Sequence, residues 1–491
     1  MKKILIIGGG VAGLSAGIYA QLNGYQAIVC EKHFTAGGNL TAWERGGYHI
    51  DNCIHWLTGT NPATSTYRMW ETLGALGTIE IHQGETLFTC EHGGKRISLF
   101  RNLERMKQEM LSLSPDDEKE ILSFIRAVEY LQGFCGIAGK QHNQKNSPFS
   151  AVTSVPIISK YYKLTTGDLA EKFKHPLLKL FFRGFFGDNF GSLALIFVCA
   201  HFCGDNGGIP QGSSQKMAER MTDRFQNLGG TLLLKKEASE IRIENKKATA
   251  VSFTDGTVLN ADYVILTPDP ASIFGKLLRR PLPKALNKNY KNPRFLRFSS
   301  YQCAFSCSLS NLPFEGDLIF QIPEEYRDVL LTDRLIVREF SHEKTFSPEG
   351  ENILQTITFT FEKDAKDFVH LRKYDRESYN KKKKQLSALT QKLLEEHLPE
   401  LSGKLKCIDI WTPATYQRFT NAEIGSFMSF ALPSRAYPFC ASNRVPGLQN
   451  VILATQWQQA PGGLPIAADV GRKAIKTINT YEHRNKNTKN I

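Results

Sequence analysis

The first thirty-one residues constrain the fold more than any other part of the chain. Residues 2–7 form a short apolar run typical of a buried strand, and Gly8, Gly10 and Gly13 follow it with the spacing G-x-G-x-x-G. In such a turn the first glycine permits the sharp bend, the second lets the backbone approach a pyrophosphate, and the third lets the next helix pack on the strand. The pyrophosphate then meets unpaired N–H groups at the helix N-terminus. The segment therefore predicts a dinucleotide-binding unit.

An acidic residue completes this unit. A second strand predicted at residues 26–30 ends at Glu31, about twenty residues beyond the glycines. A carboxylate at this position accepts hydrogen bonds from ribose hydroxyls and disfavours a 2′-phosphate. The alternative interpretation of this N-terminus is a signal peptide with a basic start and cleavage after Ala20. Three consecutive glycines at 8–10 interrupt the apolar core that such a peptide needs, so we favour the dinucleotide-binding unit.

The composition is that of an ordinary globular protein. The chain has 491 residues, of which 41% are hydrophobic and 22% charged, and this length is sufficient for two or three domains. No apolar run approaches the roughly 18 residues of a membrane-spanning helix. The longest candidate, residues 193–200, stops at His201 and is expected to be a buried helix. We therefore expect a soluble, cytoplasmic protein that at most contacts a membrane peripherally.

The ten cysteines predict neither a disulfide framework nor a metal site. They are sparse, and the pairs Cys199/Cys203 and Cys303/Cys307 lack the spacing C-x-x-C. Each pair has an i,i+4 spacing that brings side chains together on a helix, but no second pair completes a zinc site. We expect reduced, mostly buried thiols and no metal.

The formal net charge of +13 selects no partner by itself. Basic residues concentrate at 276–297, at 381–384 and in the tail from Arg484. The lysine run precedes an amphipathic pattern that starts at Gln385, so we expect it to be a solvated helix start. No recognised DNA- or RNA-binding motif accompanies the charge, and we predict no nucleic-acid partner. The oligomeric state stays open.

The dinucleotide-binding character returns twice after long stretches of different composition. A helix predicted at 215–228 precedes a group of strands, which includes an antiparallel insertion with a hairpin turn at Asp255-Gly256. These strands are predicted at 231–235, 239–244, 248–253 and 261–266. Near the C-terminus, a strand at 450–454 and the segment 461–465 lead into a helix from about Ile466 to Thr480.

We therefore predict an α/β fold in which a Rossmann-like domain, with a parallel sheet and an antiparallel insertion, is interrupted by a mixed α+β substrate domain with a helical cap. The predicted boundaries are residues 1–60, 207–275 and 425–485 for the cofactor domain, 61–206 and 276–424 for the substrate domain, and 486–491 for a basic tail. A terminal strand and helix that rejoin the N-terminal unit fit an extended flavin dinucleotide better than a nicotinamide cofactor. FAD is the predicted cofactor.

With these features the chain resembles the phytoene desaturase, carotenoid isomerase and retinol saturase group of FAD-dependent oxidoreductases, within the wider amine-oxidase-like superfamily. The resemblance spans most of the chain. It is carried by the glycines from Gly8 to Gly13, Glu31, Gly37-Gly38, residues 47–51, Gly229-Gly230 with Ala261-Asp262, and the closing segment 461–465.

The resemblance implies a cofactor site built from both ends of the chain. It assigns the pyrophosphate to the three motif glycines, the adenosine ribose to Glu31, and a backbone contact with adenine to Ala238. The helix start at 463–466 lies at the flavin, where its N-terminus stabilises negative charge on the pyrimidine end of the ring. The expected cofactor-binding residues are Gly8, Gly10, Val11, Ala12, Gly13, Glu31, Lys32, Gly38, Asn39, Ala238, Thr455, Gly463, Leu464, Pro465 and Ile466.

The chain departs from the resemblance at two positions. Many relatives have Arg where this chain has Asn39, and many have Gly where it has Ala454. Both positions are implied to touch the phosphates. Asn39 offers a neutral hydrogen bond and no charge, so either FAD is held less tightly or the pyrophosphate depends on backbone N–H groups.

Aromatic residues crowd part of the predicted substrate domain. They are Phe173, Phe181, Phe182, Phe185, Phe186, Phe190, Phe197 and Phe202. One interpretation is a packed helical core, the commoner use of aromatics at helical spacing. The other is an apolar tunnel with a basic rim, which takes a lipophilic substrate from a membrane leaflet.

The catalytic candidates lie in residues 51–56, a segment that the resemblance places beside the isoalloxazine. Catalysis in such flavoproteins is mainly hydride transfer between flavin N5 and a substrate carbon, so the protein contributes orientation, exclusion of water and one proton. An imidazole exchanges protons near neutral pH, so His55 is the favoured catalytic residue and Asp51 the second. The alternatives are a hydrogen-bonded, non-catalytic His55, an Asp51 that fixes the backbone, and a covalent flavin link through Cys53 or His55.

The sequence therefore predicts an FAD-dependent oxidoreductase that desaturates, saturates or isomerises a carbon–carbon bond of a lipophilic, isoprenoid-like molecule. One alternative is an amine-oxidase-like flavoprotein, which needs an aromatic cage to which Trp457 can contribute. The other is a lipid- or prenyl-binding escort protein on the same fold, as in GDP-dissociation inhibitors. An escort protein has little use for the three motif glycines together with Glu31.

Overall fold

The computed structural model describes residues 1–134, 159–435 and 441–489. Its strands are β1 (Lys3–Ile7), β2 (Gln26–Cys30), β3 (Ala42–Arg45), β4 (Tyr48–Asp51), β5 (Leu57–Thr58), β6 (Ile81–His82), β7 (Thr86–His92), β8 (Lys95–Phe100), β9 (Gly207–Pro210), β10 (Thr231–Leu233), β11 (Ala238–Glu244), β12 (Lys247–Phe253), β13 (Val258–Asn260), β14 (Tyr263–Leu266), β15 (Phe298–Cys307), β16 (Asp317–Gln321), β17 (Arg334–Glu339), β18 (Asn352–Phe361), β19 (Leu405–Trp411) and β20 (Val451–Leu453).

The helices complete the element order. They are α1 (Val11–Leu22), α2 (Ser65–Thr72), α3 (Leu103–Leu113), α4 (Glu118–Phe134), α5 (Thr166–Ala170), α6 (Pro176–Gly184), α7 (Ser192–Phe202), α8 (Ser213–Asn227), α9 (Pro270–Ser272), α10 (Lys284–Tyr290), α11 (Glu324–Leu330), α12 (Glu362–Tyr374), α13 (Arg376–His397), α14 (Pro413–Thr420) and α15 (Leu464–Lys489).

A five-stranded parallel sheet with the order β10-β2-β1-β14-β20 carries the N-terminal motif. Its central strand β1 is apolar on both faces, as expected of a parallel strand that is covered on both sides. Ile4 and Ile6 pack into the core formed with α1, α8 and α15. Leu5 and Ile7 face the other side, where β12 contributes Val251. The first and last elements of the chain therefore meet in one layered unit.

The predicted antiparallel insertion is present as a three-stranded sheet with the order β11-β12-β13. The turn at Asp255-Gly256 joins its last two strands, and Gly256 has a φ of +83°, which glycine adopts without strain. The α/β fold with a parallel sheet and an antiparallel insertion is therefore confirmed.

A seven-stranded sheet forms the second large unit. Its order is β19-β15-β18-β17-β16-β7-β8, and only β16 and β7 are parallel neighbours. Alternate residues of its strands point to opposite faces. One face packs on α12 and α13, and the other packs partly on α4, α6 and α7. Its strands come from residues 86–100 and 298–411, which interrupt the parallel sheet in the sequence.

The structure confirms some local predictions and corrects others. The apolar run 193–200 is a helix, and most of its side chains are buried. The lysine run 381–384 does not start a helix, because it lies inside α13, which begins at Arg376. The final helix does not end near Thr480 and continues to Lys489, so the predicted basic tail is helical up to that residue and the last two residues lie outside the described part.

One cysteine pair does not have the helical arrangement that its i,i+4 spacing suggested. Cys199 lies on α7 and Cys203 directly follows it, whereas Cys303 and Cys307 lie on strand β15. Four residues along a strand span about 13 Å, so the latter pair cannot meet. Within residues 1–134, 159–435 and 441–489, every cysteine is free and no group of side chains has the arrangement of a metal site. No helix in that part of the chain has the length and apolar character needed to cross a membrane.

Candidate functional site

A cavity of about 990 Å³ connects the two large units. One part of its wall consists of the glycine motif, the residues after β2 and the start of α15. The other part consists of side chains from α7, from the loop before it and from the seven-stranded sheet. A polar dinucleotide site and an apolar chamber are therefore continuous with one another.

The glycine motif forms the first wall of the dinucleotide part. Gly8, Gly10, Val11 and Ala12 line the cavity where α1 begins, and no side chain caps the helix at Gly10. The first N–H groups of α1 are therefore free to bind an anion. Gly13 does not line the cavity; a Cβ added there would lie 1.9 Å from the carbonyl oxygen of Gly8, so this glycine permits the helix–strand contact.

A second glycine pair approaches the motif from the loop after β2. Gly10 and Gly37 form a parallel bridge, and a Cβ added to Gly38 would lie 3.2 Å from Cα of Gly10. Gly38 and Asn39 both line the cavity at this point. The Asn39 amide donates a long hydrogen bond of 3.4 Å to the Phe427 carbonyl.

The other departure from the family resemblance does not reach the ligand site. Ala454 is fully buried, does not line the cavity, and donates its backbone N–H to Leu266. The expectation that this position touches the phosphates is wrong.

Glu31 reaches the cavity but is already engaged with the backbone. One carboxylate oxygen accepts the N–H of Gly9 at 2.7 Å and the other accepts that of His33 at 2.8 Å. Burial raises the pKa of this carboxyl, and the two backbone hydrogen bonds oppose that shift. Each carboxylate oxygen can accept a further bond. Glu31 therefore stabilises the glycine turn through the N–H of Gly9, and its carboxylate can still accept hydrogen bonds from a ligand in the cavity.

Charged side chains surround the next part of the wall. Lys32 and Ala238 line the cavity, as do Lys236 and Glu237, which we did not predict from the sequence. The Lys32 ammonium donates to the backbone carbonyl of Arg418 and to the Asn421 side chain. Burial lowers the pKa of this ammonium.

The start of α15 forms the opposite end of the dinucleotide part. Thr455 and residues 463–466 line the cavity, and Gly463 donates its N–H to the Gln456 side chain at 2.9 Å. The adjacent Ser426 hydroxyl is buried, lines the cavity, and has no hydrogen-bond partner in the described part of the chain. Two helix N-termini, a close glycine approach and a buried hydroxyl fit a group with an anionic diphosphate and a polar ring.

The catalytic candidates separate into a cavity residue and a structural residue. His55 lines the cavity with 20% of its side chain exposed, and Cys53 lies beside it. Asp51 is fully buried and does not line the cavity. Its carboxylate accepts the N–H and hydroxyl of Ser214 and the N–H of Cys53. The structure therefore places Asp51 as a brace for the segment that carries His55.

Two charged residues that we did not predict from the sequence stand behind His55. Asp317 on β16 lies 3.6 Å from Nδ1 of His55, and Arg338 on β17 lies 3.6 Å from the same carboxylate. Burial and the Arg338 charge lower the pKa of His55, while the carboxylates of Asp317 and Asp51 oppose the shift. His55 is therefore mainly neutral at pH 7.

A buried polar network forms the wall next to this group. The Tyr416 hydroxyl donates to Asn52 at 3.0 Å and accepts from Gln302 at 2.8 Å, while the Trp411 indole donates to the Tyr416 hydroxyl at 3.0 Å. Asn52 and Gln302 line the cavity. Sequence spacing gave no signal for this network, because its members come from segments that are more than one hundred residues apart.

The aromatic cluster of the predicted substrate domain divides between the two interpretations. Phe173, Phe181, Phe182 and Phe202 belong to a buried core. The cavity is instead lined by Phe185, Phe186, Phe190 and Phe197, together with Phe298, Ile336, Ile357 and Phe359 from the seven-stranded sheet. Trp457, the proposed member of an aromatic cage, also lines the cavity but stacks on Tyr290 with centroids 5.3 Å apart.

His201 is a buried titratable group in this apolar part of the wall. Asn206 accepts the backbone N–H of Asn61 with its amide oxygen, so its NH₂ group faces Nδ1 of His201 at 2.8 Å. Nδ1 is therefore an acceptor, and Nε2 carries the proton of the neutral ring. Burial lowers the pKa of His201 to about 4.

We expect this histidine to make folding stability fall with acid. The unfolded chain binds a proton at pH values where the folded His201 does not, so stability is present above the unfolded pKa of about 6.5 and is lost as the pH falls toward 4. The loss from this group is about 2 kcal/mol between pH 7 and pH 5. Urea unfolding of His201→Met should show a flatter pH dependence, whereas the exposed control His483→Met should retain it. Equal slopes for both variants would contradict the assignment.

The fold and the cavity are those of a protein that binds a dinucleotide beside an apolar chamber. The sequence model of the family described as "Flavin containing amine oxidoreductase" matches residues 11–400. The chain belongs to this family of flavoproteins, and FAD is its cofactor. Its electron-transfer chemistry is supplied by that cofactor.

The chain has low sequence identity to individual relatives, but the similarity covers more than half of each chain. The chain is 22% identical to the chloroplastic prolycopene isomerase of Daucus carota over 86% of its own length and 71% of the relative's. It is 24% identical to the lycopene-forming phytoene desaturase of a Paracoccus strain over 56% of each chain. Among solved structures, an oxidoreductase from Methanosarcina mazei has a TM-score of 0.62 at 16% identity, covering 95% of this chain and 98% of that one. The last similarity shows the fold.

Proposed function

We propose that this protein is an FAD-dependent oxidoreductase that acts on carbon–carbon bonds of a long apolar polyene of the carotenoid type, by desaturation of a single bond or by saturation or isomerisation of a double bond. The observation that carries the proposal is the continuity of the FAD site with a chamber lined by phenylalanine and isoleucine side chains. Such a chamber binds a hydrocarbon chain through the hydrophobic effect. The similarity to a prolycopene isomerase and a phytoene desaturase supports the same substrate class.

Within this proposal the expected cofactor residues keep their roles. Gly8, Gly10 and the N-terminus of α1 hold the diphosphate, while Gly13 serves the contact between helix and strand. Glu31 and Lys32 lie at the adenosine, and residues 463–466 lie at the flavin. Since Asn39 carries no charge, the diphosphate depends on backbone N–H groups. Residues 1–60, 207–275 and 425–485 form the cofactor domain, and 61–206 with 276–424 form the substrate domain.

His55 is the proposed catalytic residue. It is the titratable side chain that lies on the cavity wall beside Cys53 and Asn52, in the segment expected to lie along the isoalloxazine. Its neutral imidazole can accept a proton from the substrate. The apolar side chains around the substrate exclude water, and the buried network at Tyr416 holds the wall rigid.

We also propose that the substrate is taken up from a membrane surface. Phe197 lines the cavity and is nevertheless 43% exposed, so an apolar side chain marks the outer end of the chamber. Carotenoid-type polyenes reside in membranes because water does not dissolve them. Liposome flotation of the purified protein, compared with Phe197→Ser, tests this contact: the wild type should float and the variant should float less.

The experiment that tests the proposed function is anaerobic mixing of the purified holoprotein with phytoene and, separately, with prolycopene. Desaturation should bleach the flavin absorbance and produce a more conjugated polyene, and isomerisation should change the isomer without net bleaching. Chromatography of the extracted pigments identifies the product. No change in either pigment, combined with bleaching by a polyamine, would favour the amine-oxidase alternative.

A variant that fills the chamber provides the structural control. Leu193 lines the apolar part of the cavity, and Leu193→Trp should raise KM for the polyene at least about 10-fold with unchanged flavin content, because the larger ring occupies substrate volume. Leu234 is 39% exposed and does not line the cavity, so Leu234→Trp should leave KM unchanged. If the protein binds the polyene but does not change it chemically, this result would favour the escort-protein alternative.

A further inference from the structure

The proposed base, His55, faces a buried charge pair on the side away from the cavity. Asp317 begins β16 and Arg338 lies on the adjacent antiparallel strand β17. Asp317 is 8% exposed and Arg338 is 2% exposed, and neither lines the cavity. One carboxylate oxygen lies 3.6 Å from Nε of Arg338, and the other lies 3.6 Å from Nδ1 of His55.

Arg338 also lies over the Phe340 ring at 4.7 Å from its centroid, and its hydrogen bond leads back to the segment of His55. The oxygen of Asp317 that faces the imidazole has no hydrogen-bond partner among the described residues, and its 3.6 Å separation from Nδ1 of His55 is that of an ion pair. Arg338 donates from Nη2 to the carbonyl of Ile54 at 2.7 Å, directly before His55 in the chain. Arg338 therefore holds the backbone directly before His55 by a hydrogen bond and forms an ion pair with the carboxylate that faces the His55 ring.

We propose that Asp317 is a positioning residue, which holds His55 with its proton on Nδ1 and leaves Nε2 as a proton acceptor toward the cavity. An ionised carboxylate only accepts hydrogen bonds, so we infer that the imidazole nitrogen that faces it at 3.6 Å carries the proton. The ring geometry places Nε2 on the other edge. The Arg338 guanidinium has only donors and pairs with the other carboxylate oxygen.

This arrangement means that His55 takes a proton from the substrate during desaturation. The inference rests on the proposed function. The charged groups that face His55 are Arg338 from β17, Asp317 from β16 and Asp51 from β4. In a desaturation, one substrate carbon loses hydride, with two electrons, to the bound FAD. The adjacent carbon loses a proton to Nε2 of His55, and the electron pair of that C–H bond becomes the second bond of the new double bond.

Replacing Asp317 by Asn should invert the tautomer. Because Arg338 can only donate, the amide oxygen of Asn turns toward Arg338 and the amide NH₂ group turns toward His55. Nδ1 then becomes an acceptor, the proton moves to Nε2, and the cavity loses its base. We expect Asp317→Asn to lower kcat for desaturation about 100-fold, with flavin content and KM retained.

The test is two-bond ¹H–¹⁵N NMR of the holoprotein labelled with ¹⁵N-histidine, which identifies the protonated nitrogen of each ring. His55→Gln assigns the His55 signal by its disappearance. The wild type should show the Nδ1–H tautomer and Asp317→Asn the Nε2–H tautomer. An Nε2–H tautomer in the wild type, or an unchanged His55 signal in the variant, would overturn the proposal.

A matched variant separates positioning from a general effect on the sheet. Asp333 lies just before β17 and also pairs with an arginine, Arg334, at 2.6 Å. Asp333→Asn makes the same chemical change away from the cavity and should leave the His55 signal unaltered. Because the tautomer is measured without substrate, it is independent of whether the polyene is turned over, so failure of the proposed function is distinguishable from failure of this inference.

Discussion

Gly10→Val should yield a folded protein that has lost its flavin. Gly10 has a φ of −71°, which any residue adopts, and a Cβ added there would find its nearest neighbours at 3.8 Å, the Gly37 carbonyl oxygen and Cα of Gly38. The fold therefore tolerates a side chain at this position. The cavity does not, because the branched methyl groups occupy the space where the backbone must approach the diphosphate.

We expect FAD to bind Gly10→Val at least about 100-fold more weakly than the wild type, a loss of about 3 kcal/mol. The visible absorbance of the purified protein and calorimetric titration of the apoprotein with FAD measure this change. Trp43→Phe is the control, since Trp43 lies on a hairpin outside the cavity and donates its indole N–H to Asp409. Full flavin content in Gly10→Val would show that the diphosphate is placed wrongly.

Gly13→Val is unsuitable for the same purpose. A Cβ at Gly13 would lie 1.9 Å from the Gly8 carbonyl oxygen, so the substitution disrupts the contact between β1 and α1 and removes flavin by unfolding. Thermal unfolding of the apoproteins distinguishes the two variants: Gly10→Val should retain the wild-type Tm, and Gly13→Val should not.

His55→Gln should have the largest effect on the chemical step. Gln is similar in size and hydrogen-bonding capacity but cannot take up a proton, so kcat for desaturation should fall between about 100-fold and 10,000-fold. Flavin content should be unchanged, because His55 is not among the residues expected to hold the diphosphate, the adenosine or the flavin. Stopped-flow measurement of flavin bleaching by the polyene reports this step directly.

The neighbouring cysteine provides the matched control. Cys53 also lines the cavity, and burial raises the pKa of its thiol to about 12, so it is protonated at pH 7. Cys53→Ala should therefore retain most of the activity. Flavin that stays attached to the denatured wild-type chain but is released from either variant would instead identify a covalent link at that residue.

The pH dependence of the wild type gives an independent check on His55. Burial and Arg338 lower its pKa, so the neutral, proton-accepting form is present above that lowered value and is lost below it. The rate of desaturation should rise with pH through a pKa below about 6.5 and be flat near pH 7. This limb of the profile should be absent in His55→Gln.

The dinucleotide site was predictable because its chemistry is local. Gly8, Gly10 and Gly13 are close in the sequence, and each is required by the backbone geometry of one turn. The start of α15 could be recognised in the same way, since residues 461–466 carry their own turn and helix-start signals. In contrast, the sequence pattern placed the start of α13 too late: Asp375 caps this helix by accepting the N–H of Ser378, and Tyr379 in its first turn is buried.

The residues that line the apolar chamber were harder to predict from the sequence. Aromatic spacing alone did not separate Phe181, which is in the core, from Phe186, which lines the cavity. Both lie in the same short segment, and the orientation of α6 and the loop that follows it relative to the seven-stranded sheet decides which ring is covered. The sequence left Asp51 open to a catalytic role or a backbone-fixing role, and the structure shows that Ser214, from a distant helix, donates to both of its carboxylate oxygens.

The sequence by itself therefore determined the strand–turn–helix unit and the choice of a flavin dinucleotide, because those features follow from backbone requirements within short segments. Only the tertiary structure decided what stands around the reacting group. Asp317 and Arg338 are separated from His55 by more than 250 residues, and no local pattern marks either one. They meet His55 because the pairing of β16 with β17 brings a carboxylate and a guanidinium together behind the segment after β4.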